Sequence, residues 1–73
     1  MRRYRLSVRL YTPSTPPTVW KGAFQFDGDG IQLDCPLPLD VARAVLSGLS
    51  KDCHWGGCQM ADGRYITYAG RTA

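Results

Sequence analysis

Tyr4-Arg5-Leu6-Ser7-Val8-Arg9-Leu10 alternates apolar and polar residues without a break. Tyr4, Leu6, Val8 and Leu10 share one side of this run, and Arg3, Arg5, Ser7 and Arg9 share the other. A period of two predicts a half-buried β-strand, because successive side chains on a strand point to opposite faces. The reading fixes two things at once. The fold needs a sheet with one apolar side, and the other side of that sheet carries arginine.

The neighbouring segments extend the pattern. Thr12-Pro13-Ser14-Thr15-Pro16-Pro17 predicts a surface loop, since proline cannot donate to a strand ladder. Thr18 to Asp27 reads as the second strand, with Trp20, Phe24 and Phe26 on one face and Lys21 and Gln25 on the other. Asp27-Gly28-Asp29-Gly30 is a turn signal, because glycine adopts positive φ freely. Ile31, Leu33 and Cys35 alternate with Gln32 and Asp34 as a third strand. A helix is expected from Pro38 or Leu39 to Leu49. Leu39, Ala42, Leu46 and Leu49 form its apolar stripe, with Val45 beside it, Pro38 as first helical residue and Asp40 in the first turn.

Residues 51–57 read as irregular. Cys58-Gln59-Met60 and Arg64 to Tyr68 then flank Ala61-Asp62-Gly63, which predicts a hairpin with a three-residue loop and Gly63 in the left-handed position. In that register Cys58, Met60, Ile66 and Tyr68 share a face. A two-residue turn would instead pair Met60 with Tyr65. Residues 70–73 are expected to fray. The fold class is α+β: an antiparallel sheet packed on one face by a single helix, in the order β-β-β-α-β-β.

At 73 residues the chain predicts one domain, 1–73, with a single core. No apolar run approaches the roughly 20 residues of a membrane span. The first ten residues lack the continuous apolar stretch of a signal peptide. A cytoplasmic protein is the expectation, and three reduced cysteines go with it, since an odd count closes no disulfide framework.

The formal net charge of +3 hides a segregated pattern. Residues 1–26 carry Arg2, Arg3, Arg5, Arg9 and Lys21 and no acid, for +5. Residues 27–40 carry Asp27, Asp29, Asp34 and Asp40 and no base, for −4. The remainder, with Arg43, Lys51, Arg64, Arg71, Asp52 and Asp62, contributes +2. Seven of the nine bases are arginine, whose planar fork suits carboxylate and phosphate. Arg2, Arg3, Arg5, Arg9 and Lys21 are therefore the candidate partner-binding residues. Charge on the outer side of a strand is also an ordinary solvated face. The aspartates have an equally ordinary reading as turn and helix-cap residues.

Cys53-His54-Trp55-Gly56-Gly57-Cys58 is the sharpest local motif. Cys35, Cys53, His54 and Cys58 are residue types that hold zinc. Yet zinc sites usually show two well-spaced ligand pairs, and this chain has one. Buried, idle thiols are the simpler reading, so no metal or other cofactor is expected. Cys53 beside His54 suggests nucleophilic catalysis only weakly, because adjacent residues rarely align a thiol with an imidazole and no third group orients the ring. No catalytic residue is assigned, and an enzyme is not expected.

With Met1-Arg2-Arg3-Tyr4-Arg5 at its start, the Gly56-Gly57 loop and a short hairpin at its end, the chain resembles the small transcription regulators of Xanthomonas phages that bind host RNA polymerase. The resemblance spans the chain and rests on size and charge layout rather than on a diagnostic motif. It implies a non-enzymatic protein of the host cytoplasm. Such a protein binds near the N-terminus of the polymerase β′ subunit and the β flap, disfavours the σ-containing holoenzyme at initiation, and acts as an antiterminator near the RNA exit channel. Two other expectations stand beside it. One is a small nucleic-acid-binding domain using the basic sheet face, weakened by the inward placement of Trp20, Phe24 and Phe26, with Tyr11 and Tyr65 as possible exceptions. The other is a phage anti-host inhibitor of another kind, such as an anti-CRISPR protein.

Overall fold

The alternating run forms the strand around which the others assemble. In the computed structural model, which describes residues 2–73, β1 spans Arg3–Thr12 and lies at the centre of a five-stranded sheet. β2 (Thr15–Asp27) and β3 (Gly30–Asp34) follow on one side of it. After helix α1 (Leu39–Gly48), strands β4 (Trp55–Gln59) and β5 (Tyr65–Thr72) complete the order β3-β2-β1-β5-β4, with every neighbouring pair antiparallel. The protein is thus a small α+β structure of five antiparallel strands and one helix. Met1 lies outside the described residues.

The apolar side of β1 is the floor of the core. Leu6, Val8 and Leu10 are buried with Phe24 of β2, Ile66 and Tyr68 of β5, and Val41, Val45 and Leu49 from the helix. Each such large side chain contributes on the order of 1.5–3 kcal/mol on leaving water. The helix packs against β4 and β5. The β2–β3 half of the inner face is occupied instead by Tyr4, Phe24, Phe26 and the ring of His54, which lies 4.3 Å from Tyr4.

Several sequence expectations change here. Thr12 to Pro17 is not a loop: only Pro13 and Ser14 separate β1 from β2. Ser14 takes φ 78°, as the third residue of a type II turn does after proline. Pro16 and Pro17 are accommodated because the ladder slips by one residue between the Leu10↔Thr18 and Thr12↔Thr15 pairs. β3 joins the other edge of β2 only from Ala23 onward, so no donor is needed on that side either. The third strand ends at Asp34, one residue before Cys35.

The helix faces the core with a different stripe. Val41, Val45 and Leu49 are buried, while Leu39 is 68% exposed and Leu46 also faces solvent. Of the expected stripe Leu49 is buried, with Val45 beside it, while Val41 and Val45 take the inward positions expected of Ala42 and Leu46. Pro38 caps the helix from outside, with ψ 152°, and its carbonyl accepts from the Ala42 N–H.

The C-terminal part is more regular than expected. β4 begins at Trp55, so residues 55–57 are strand. β5 continues through Gly70 and Arg71, paired with Leu6 and Arg5, to Thr72, and the Ala73 N–H donates to the Arg3 carbonyl. The three-residue loop Ala61-Asp62-Gly63 is present: Cys58 pairs with Ile66, and Gly63 has φ 92°. Cys58 shares a face with Ile66 but, on the edge strand, it is exposed.

Candidate functional site

Among the described residues no element covers the side of the sheet opposite the helix, and its register sets side chains out in rows. One row reads Lys21, Ser7, Ala69, Trp55 across β2, β1, β5 and β4. The next toward the β1–β2 turn reads Val19, Arg9, Thr67, Gly57, and the one after it Tyr11, Tyr65, Gln59. On the other side of the first row lie Ala23, Arg5 and Arg71. Ser7, Thr67 and Ala69 are small, so the middle of the face is a floor bounded by longer side chains. It forms an open depression of about 570 Å³ lined by Arg5, Arg9, Lys21 and Arg71 among others.

The electrostatics of this face are one-signed. Arg5, Arg9, Lys21 and Arg71 enter no ion pair among the described residues. Paired strands lie about 4.8 Å apart, which keeps Arg5 and Arg71 as direct neighbours with no carboxylate between them. Like charges opposite each other weaken a sheet, so the arrangement costs stability unless an anion joins it.

The aromatic content is the second property. Trp55 is 71% exposed, Tyr65 44% and Tyr11 37%. Tyr11 and Tyr65 lie with ring centroids 6.5 Å apart at the end of the face nearest the β1–β2 turn. Three exposed aromatic rings and four unpaired cations therefore share one surface.

Of the five candidates read from sequence, Arg5, Arg9 and Lys21 line the depression. Arg3 is at the margin and is committed to Asp34, with Nη2 to Oδ2 at 2.7 Å. Arg2 is elsewhere, in a smaller cleft with Tyr4, Phe26 and Lys51. Two members of the face were not among the sequence candidates. Arg71 belonged to a tail expected to fray, although alternation from Tyr65 through Thr67 and Ala69 reaches it in phase. Trp55 falls in the stretch 51–57 expected to be irregular, with Gly56 and Gly57 after it. Both glycines are instead strand residues facing tyrosine rings: a Cβ on Gly56 would meet the Tyr68 hydroxyl at 2.6 Å, and one on Gly57 the Tyr65 hydroxyl at 2.4 Å.

The candidate zinc ligands do not converge. Among the described residues no three His, Cys, Asp or Glu side chains come together as a metal site. The Cys53 thiol donates to the Trp55 carbonyl at 3.2 Å. The His54 ring packs among Tyr4, Phe24 and Phe26, and its Nε2 is buried without a hydrogen-bond partner. Burial, and secondarily the Asp34 carboxylate, push the Cys35 thiol above its ordinary pKa, which disfavours the thiolate that zinc requires. No thiol–imidazole hydrogen bond joins Cys53 and His54 among the described residues, so the pair lacks the geometry of a nucleophile and its base.

The acidic band is spent on local structure for the most part. Asp27 accepts from Gln32, Asp34 holds Arg3, and Asp40 accepts from the Val41 N–H and from Arg64. Among the described residues no helix is long and apolar enough to cross a membrane. Comparison of the chain with protein-family models, with curated proteins and with solved structures returns no match.

Proposed function

We propose that this chain is a small binding protein rather than an enzyme, and that the partner of its open sheet face is nucleic acid. The observation that carries the reading is the set of four cations, Arg5, Arg9, Lys21 and Arg71, around one depression with no carboxylate among them. A polyanion relieves their mutual repulsion, and a phosphate chain reaches all four in succession. Neutralising phosphates releases condensed counterions, so the logarithm of the binding constant falls linearly with the logarithm of salt concentration. Four contacts to a single strand give a slope of about −3. Replacing Arg5, Arg9 and Lys21 together with alanine is expected to remove binding to a labelled oligonucleotide in fluorescence anisotropy. Arg3→Ala has the smaller effect, since Arg3 is held by Asp34. Unchanged affinity in the triple variant sinks the reading.

A second reading is a phage-encoded ligand of host RNA polymerase that displaces σ at initiation and promotes antitermination. What favours it is the two-signed surface. Asp27 and Asp29 are exposed around the β2–β3 turn, beyond the Gln25↔Gln32 pair that closes the basic rows. An acidic tip beside the exit channel discourages an RNA hairpin from folding there, while the arginine face grips carboxylates of the polymerase. Retention of polymerase from host lysate on the immobilised protein at low salt is the expected result. Failure to retain it ends this second reading and leaves the first untouched.

A further inference from the structure

We infer that the open face holds an unpaired polynucleotide strand, with Trp55 stacking on a base and Arg5, Arg9, Lys21 and Arg71 taking the phosphates around it. This rests on the nucleic-acid reading above and specifies its substrate class.

The argument starts from what Trp55 has around it. Its neighbour across β5 is Ala69, and two residues along its own strand comes Gly57 on the same face. Ala69 is too short to lie over an indole ring, and the space above Gly57 is taken by the hydroxyl end of Tyr65, whose ring leans toward Trp55 yet leaves it 71% exposed. Ser7 follows Ala69 in the row, so the surface beside the indole stays low until Lys21. A flat base can lie on that floor and meet the ring. Four residues along β5 from Ala69 is Tyr65, its backbone about 13 Å away at strand rise and its ring reaching back over Gly57, where the Tyr11–Tyr65 pair offers a second platform. Arg9 and Thr67 occupy the row between the two platforms.

An exposed π-face is useful only to a base whose own face is uncovered. In a duplex each base is covered by its neighbours above and below, and a side chain reaches only base edges and the backbone. Sheet platforms of this kind recognise single strands by stacking, with a positively charged surface that tracks the backbone. A protein partner would need a different centre. Interfaces between proteins bury an apolar core inside a polar rim. Here the centre is small and partly hydroxylated, with Ser7 and Thr67, and the rim bears one sign of charge.

The test compares three labelled probes by anisotropy at low salt: an oligothymidylate of about ten nucleotides, a duplex of equal length, and polyglutamate as a carboxylate chain. The single strand is expected to bind at least tenfold more tightly than either of the others. Trp55→Ala lowers its affinity by about 10-fold to 100-fold without changing the salt slope, because stacking releases no counterion. Trp55→Phe recovers part of that loss. Arg9→Ala flattens the slope by about 0.7. Trp55 is exposed on the edge strand, and circular dichroism of each variant confirms that the fold is kept. Equal binding of duplex and single strand, or an unaffected Trp55→Ala variant, overturns the inference while the nucleic-acid reading stands. Binding of neither nucleic acid overturns both. Polyglutamate binding as tightly as oligothymidylate overturns both as well and assigns the face to an acidic protein.

Discussion

Tyr68 shows how one side chain fixes the identity of two others. Its hydroxyl end reaches between Gly48, the last residue of the helix, and Gly56 of strand β4. A Cβ built on Gly48 would stand 1.7 Å from the Tyr68 oxygen, and one on Gly56 would stand 2.6 Å from it. Glycine at a helix position normally costs about 0.8–1.0 kcal/mol relative to alanine. At Gly48 the sign reverses, since the ring would have to leave its place under the helix. Gly48→Ala is expected to destabilise the protein by about 1–3 kcal/mol, as overpacking of a filled site does. In Tyr68→Phe the same substitution costs less, though the ring carbon 2.7 Å from the built Cβ keeps some of the clash. Urea denaturation of the four proteins gives the comparison, and a Gly48→Ala variant as stable as the parent contradicts the account.

Between elements, one arginine ties the helix to the C-terminal hairpin. Arg64 reaches Asp40 in the first turn of α1 and Asp62 in the loop before β5, at 2.5 and 2.6 Å. The Arg64 side chain foremost, and then the Val41 N–H, hold the Asp40 carboxyl below its ordinary pKa; the Arg64 backbone N–H does the same for Asp62. A carboxyl whose pKa is lower folded than unfolded adds stability above its unfolded value, near 3.9 for Asp, and loses it as pH falls through the folded value. Asp40→Asn is therefore expected to lower the melting temperature at pH 7, and the gap from the parent closes as the pH drops through and below the ordinary Asp range. A gap that persists in strong acid points to a cause other than charge. The same elements show what sequence carries and what it does not. Alternation in β1 and β2, the turn glycines and the Ala61-Asp62-Gly63 loop were legible because each depends on residues close in the chain. The extension of β5 through Gly70 was not. Gly70 lies where a Cβ would meet the Phe24 ring at 2.5 Å, a contact with a residue 46 positions away, so a residue expected in a frayed tail is an interior one. Arg71, which shares that tail, and Trp55, which lies in the stretch 51–57, complete the candidate face, whereas Arg5, Arg9 and Lys21 sit on strands that alternation marks.

At the scale of the molecule, the chain measures 40 × 20 × 19 Å, and its long axis follows from the length of β2, 13 residues. Its accessible surface of 4879 Å² exceeds the roughly 4,500 Å² that scaling gives a protein of this mass. The excess goes with an elongated shape that leaves one side of the sheet bare. Small size, which limits the core, thus enlarges the share of surface available to a partner.

The pairing of β1 with β5 sets the order in which the protein can form. Tyr4 meets Thr72 and Tyr11 meets Tyr65, so the central ladder joins residues 54 to 68 positions apart. On the ribosome the β1–β2 hairpin can close early, but β1 must wait for almost the whole remaining chain before its second edge is satisfied. Pairings of such long sequence separation slow folding, because the loop entropy is lost before the contacts form. A circular permutant that links residue 73 to residue 2 through a short glycine-rich segment and opens the chain between Gly28 and Asp29 turns that ladder into a local hairpin, keeps the β1–β2 hairpin local, and leaves only the short β2–β3 pairing long-range. Stopped-flow refolding is expected to be faster in the permutant than in the parent, with the same strands in the final sheet. Equal rates would place the slow step in the docking of the helix instead.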